Sequence, residues 1–87
     1  MKISKQVELK IKEIITTHLM NDGDDQESAI EEAEETISKL KEGTISFLLW
    51  DSLGCDDAGI RENSPEIEKL YNKITKTWIQ SQKSNIQ

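Results

Sequence analysis

With one cysteine, one histidine, one proline and four glycines in 87 residues, this chain lacks the usual raw material of several protein classes. A lone Cys55 cannot close an internal disulfide, which agrees with a reducing compartment. His18 and Cys55 are the only strong soft or borderline metal ligands and stand far apart in sequence, so no transition-metal pattern forms. Gly23, Gly43, Gly54 and Gly59 fall at turn-like positions and build neither a phosphate loop nor a dinucleotide fingerprint. Charges recur every few residues from Lys2 onward, so neither a signal peptide nor a transmembrane run is expected, and cytoplasmic residence is the default. Positive charge is also in deficit, with 11 Lys and Arg against 17 Asp and Glu and a net charge of −6.

What is present is unevenly placed. Residues 22–42 hold nine acids against Lys39 and Lys41, a block of −7, while residues 1–21 and 66–87 are each +2. A small domain polarised in this way points to a positively charged partner. The length allows a single domain over 1–87, burying about 60–65% of its unfolded surface. Apolar residues are 34% of the chain but recur at regular spacings, which argues for folded structure.

The periodicity predicts an all-α protein, a compact four-helix bundle with a short third helix. Ile3, Val7, Ile11, Ile14, Ile15 and His18 share one face of a helix over about 4–20. Asn21-Asp22-Gly23 supplies the stop, with Gly23 or Asn21 free to turn left-handed. Asp24 reads as the cap of a second helix over 24–42, with Glu27 completing a capping box, and Ile30, Ala33, Ile37 and Leu40 form its core stripe. Thr44 is placed to cap a short helix over 44–53, for which a buried strand is the competing reading. Cys55 to Asn63 reads as a loop. Ser64-Pro65-Glu66 opens a last helix over 64–81, with Ile67, Leu70, Tyr71, Ile74 and Trp78 inward, Lys69, Lys73 and Lys76 outward, and a frayed tail at 82–87.

The Asp22-Gly23-Asp24-Asp25-Gln26 loop resembles a calcium loop, but an EF-hand needs Gly at its sixth position and Glu at its twelfth, where this chain has Glu27 and Ala33. Nucleophilic catalysis needs a base beside Ser, Thr or Cys, whereas His18 lies on a core stripe and Asp56 and Asp57 beside Cys55 disfavour a thiolate. Paired carboxylates such as Glu31 and Glu35 need a cleft that a small bundle rarely provides. No enzyme activity, cofactor or metal is therefore expected. Direct nucleic-acid binding is opposed by the net charge, and neither the second nor the last helix begins with residues suited to a major groove. Only the lysines of helix 1 keep a regulator in view.

A binding surface remains. Glu27, Glu31, Glu34 and Glu35 project together on the second helix, and like charges at these spacings destabilise the isolated helix by a few tenths of a kcal/mol each. The acidity resumes at Asp51, Asp56 and Asp57 around Trp50. The expected partner-binding residues are thus Asp24, Glu27, Glu31, Glu34, Glu35, Trp50, Asp51, Asp56 and Asp57, a mix of carboxylates with an aromatic anchor. Trp50 reads first as core and second as interface.

The order of elements, with Ile14-Ile15-Thr16-Thr17 late in helix 1, the acid-rich Asp24 to Glu35, and Ser64-Pro65 through Trp78, resembles the small immunity proteins that neutralise nuclease bacteriocins. Where that family carries a Tyr-Tyr pair on the short third helix, this chain has Leu48-Leu49-Trp50-Asp51. The resemblance implies a stoichiometric inhibitor that occludes a basic partner, a nuclease toxin or another nucleic-acid-binding protein, without turnover. A phage-type inhibitor imitating nucleic-acid charge would look much the same. The alternative from another class is an assembly module, a homodimer or a subunit of a larger complex, with the last helix and Trp78 against the partner.

Overall fold

The computed structural model describes residues 2–85, and these are all-helical: α1 (Lys5–Asn21), α2 (Gln26–Lys41), α3 (Phe47–Gly54), α4 (Ile60–Asn63) and α5 (Pro65–Asn85). Each boundary has a local cause. The Ser4 side chain caps α1 by accepting from the Val7 amide at 3.2 Å. At the other end Gly23 turns left-handed at φ 106°, its N–H donates to Met20 and that of Asp24 to Leu19. This double closure satisfies carbonyls the helix leaves open, and Gly43 and Thr44 repeat it on Leu40 and Lys39 at the end of α2.

Those closures also shift the expected caps. Because the Asp24 amide turns back to α1, the cap of α2 is Asp25, whose carboxylate accepts from Ser28 at 2.8 Å, and Glu27 completes no capping box. Thr44 is likewise tied to α2, so α3 is capped by Ser46, accepting from Leu49 at 3.2 Å. The segment 47–54 is a helix, which settles the strand alternative. The expected loop at 55–63 contains the single turn α4, entered through Gly59 at φ 69°. The Asp56 carboxylate holds that turn by accepting from the Ala58 and Arg61 amides. α5 begins at Pro65 as its start signal predicts and continues helically to Asn85, through part of the stretch expected to fray; residues 86 and 87 lie outside the described residues.

The core is built around α1, which packs most extensively against α2 and also meets α3 and α5, while α5 packs against α3 and α4. α2 and α5 make no comparably extensive contact, so α1 separates them. Ile11, Ile14, Ile15, Leu40, Leu49, Leu53, Ile67 and Ile74 are fully buried. The α2 stripe is rotated from its expected position. Ala29 and Thr36 are buried with Ala33, Ile37 and Leu40, and Ile30 is only half-buried. Small residues at Ala29 and Ala33 let α2 approach α1 closely, a fit that a branched side chain at 29 would prevent. The radius of gyration, 12.7 Å, is close to the roughly 12 Å expected of a compact chain this long.

Candidate protein-interaction surfaces

Eight of the nine expected partner-binding residues fall into three groups in the structure, and Asp56 stands apart from them. Asp24, Glu27, Glu31, Glu34 and Glu35 are all exposed along α2 and the turn before it. Glu34 lies 3.6 Å from Lys12 of α1, and Glu35 lies 3.3 Å from Lys39 one turn on. Among the described residues no cation comes within ion-pairing distance of Glu27 or Glu31. Their charge is uncompensated at short range.

The second group gathers at the end of α3. His18 Nε2 of α1 stands 3.3 Å from Asp51 Oδ2 and 3.6 Å from Asp22 Oδ2, linking α1 to α3. Asn21 Nδ2 donates to Asp57 Oδ2 at 2.9 Å, which draws the loop after α3 against the C-terminal end of α1. Carboxylates far apart in sequence therefore share one end of the molecule with the acids that open α2. Asp22 is the member that sequence reasoning missed; only the fold shows that it shares His18 with Asp51. Asp56 does not belong with them, since its carboxylate accepts from the backbone amides of Ala58 and, in α4, Arg61.

Cys55 reports the field at this pole. Its thiol is exposed, yet partial desolvation and then the negative charges of Asp51 and Asp57 push its pKa above the ordinary value. A thiolate nucleophile is disfavoured there. Among the described residues no group of three or more His, Cys, Asp or Glu is placed to hold a metal ion. A groove of about 250 Å³ between α1 and α2, lined by Leu9 and crossed by the Lys41–Glu8 pair at 2.7 Å, lies below the range of about 300–1,000 Å³ typical of small-molecule sites.

Trp50 stands alone among the predicted residues, because it faces α5 rather than α2. Its ring is half-buried against the core edge, and its Nε1–H donates to Thr75 Oγ1 at 3.1 Å. It stacks on Trp78 with centroids 6.0 Å apart and planes 20° apart. Phe47 completes the cluster at 5.8 Å from Trp50 and 5.9 Å from Trp78, and is itself 55% exposed. Sequence spacing does not single out Phe47, and it places Trp78 on the inward face of the last helix or, in the assembly-module reading, against a partner. The i, i+3 spacing of Phe47 and Trp50 was visible, but their meeting with Trp78 depends on α3 lying beside α5.

No family model, curated protein or solved structure matches this chain, so the functional reading rests on its own residues. Among the described residues no helix is long and apolar enough to cross a membrane.

Proposed function

We propose that this chain is a small acidic binding protein that neutralises a basic partner by occlusion, in the manner of an immunity protein or a phage-type inhibitor. The observation that carries the reading is the gathering of Asp22, Asp51 and Asp57 at one pole, next to the acids that lead into Glu27 and Glu31. Carboxylates collected from three regions of the chain form a continuous negative field, which raises the encounter rate with a cationic surface and repels nucleic acid. The partner is a nuclease toxin or another nucleic-acid-binding protein, met in the cytoplasm. Asp24, Glu27, Glu31, Glu34, Glu35, Asp51 and Asp57 steer and hold it, Asp56 acts by fixing the α4 turn, and inhibition proceeds with no catalysis, cofactor or membrane.

We read the fold behind this surface as a four-helix bundle of α1, α2, α3 and α5 with α3 the short member and α4 a connecting turn. Reversing two α2 charges tests the reading. Glu31→Lys with Glu34→Lys is expected to slow association with the partner at low salt by roughly tenfold or more while helical content stays unchanged. An unchanged association rate would refute a role for this face.

A further inference from the structure

We propose that the aromatic face shared by α3 and α5 is a docking site for a second copy of this chain, related to the first by a two-fold axis. The inference does not rest on the acidic-face reading: of the residues assigned to that face Asp51 alone takes part in it, and Glu27, Glu31 and Glu34 do not. Phe47 is 55% exposed and packs on the half-buried rings of Trp50 and Trp78, and Ile79, next to Trp78 on α5, is 44% exposed. Clustered exposed aromatic surface on a small soluble domain marks an interaction site more often than a bare surface.

The ring geometry limits what can dock. All three centroids lie 5.8 to 6.0 Å apart, so the rings pack on one another and leave no space for a cation among them. The cluster is a protruding apolar surface rather than a cage for a charged side chain. A flat apolar complement fits it, and this chain supplies one.

The edges of the face select that complement. On the α3 side Asp51 follows Phe47 by one helical turn; one carboxylate oxygen stands 3.3 Å from His18 Nε2, and the side chain is 37% exposed. On the α5 side Lys76 and Lys83 flank Ile79 one turn before and one turn after, both exposed and, among the described residues, without an acid at ion-pairing distance. The face therefore runs from acid through aromatic to base. A two-fold axis along the seam between α3 and α5 lays the acidic edge of each copy over the basic edge of the other and the aromatic centres on each other. A basic protein would meet the lysines with like charge, and an anionic surface would meet Asp51; a second copy satisfies both edges.

The net −6 of each chain opposes approach at long range, so a dimer held by apolar contact persists when salt screens that repulsion. Sedimentation equilibrium on the full chain, with acrylamide quenching of tryptophan fluorescence over the same concentrations, tests the proposal. The expected result is a mass rising toward twice the 9.9 kDa of one chain, retained at about 1 M salt, with quenching falling as the mass rises. Phe47→Asp, an acid at an exposed first helical position that the helix dipole favours, should weaken association by roughly tenfold or more with unchanged helicity. Ile79→Lys should act in the same direction. Lys76→Glu with Lys83→Glu should weaken it at low salt and be restored by salt. A single-chain mass at every concentration overturns the proposal, as does a dimer that salt dissociates and Phe47→Asp leaves intact, since that dimer would join through charged faces.

Discussion

At Ala29 and Ile30 two neighbouring side chains exchange the roles that hydropathy assigns them. Ala29 is fully buried, while Ile30 is half-buried at the edge of the core. Ala29→Leu should therefore destabilise the fold by about 1–3 kcal/mol through overpacking, whereas Ile30→Ala should cost about 1 kcal/mol or less, both readable from denaturant midpoints. Cys55 offers a second residue-level check. Its raised pKa means that the thiol stays protonated at pH values where an ordinary cysteine begins to ionise, so alkylation should be slow near neutrality and accelerate only at higher pH. Asp57→Asn removes one of the charges responsible and should shift the rate profile to lower pH. A profile matching that of a free cysteine in the wild-type chain would show that the acidic pole exerts no such field.

Among the elements, the four longer helices were legible, while the caps of α2 and α3 and the turn α4 were not. The 3-4 spacing of Val7, Ile11, Ile14 and Ile15 marks α1, and Ser64-Pro65-Glu66 marks the start of α5, because both signals are local. Asp24 and Thr44 failed as caps for one shared reason. Each amide closes the preceding helix, a bond whose geometry depends on the left-handed glycine before it. Gly23 and Gly43 carry this closure at φ 106° and 94°, with open space around the added Cβ position at each. Gly43→Ala should thus destabilise by about 1 kcal/mol from backbone strain alone, with no steric part. Ser46→Ala, which removes the α3 cap, should cost about 1 kcal/mol as well and carry the aromatic cluster with it, visible as increased tryptophan quenching. The turn α4 was hidden because a four-residue helix has no periodicity to read; it exists through Asp56 and through Arg61, which donates to the Leu53 carbonyl at 3.0 Å and lies over the Tyr71 ring.

For the whole molecule, sequence supplied the charge on α2 but not its continuation. The block over 22–42 announces an acidic surface, whereas the pole at Asp22, Asp51 and Asp57 exists only because α1 and α3 meet at His18 and the loop after α3 meets α1 at Asn21. The same long-range packing takes Trp50 away from the acids and gives it to Phe47 and Trp78. Two surfaces of different character result, a steering face of carboxylates and an apolar seam, where residue spacing had joined them as one. Surface ion pairs such as Glu34 with Lys12 contribute at most about 1 kcal/mol to stability. Charge reversal on α2 should therefore change association far more than folding.

Capture of the partner tests the central claim most directly. Wild-type chain and the Glu27→Lys, Glu31→Lys variant serve as parallel baits in lysate of the native organism, washed at low and then at high salt, with the released proteins assayed for activity. Acidic occlusion predicts one basic protein, held by the wild type alone, released by salt and inhibited in proportion to added chain. Equal recovery on both baits, or recovery of nothing beyond the chain itself, would contradict it.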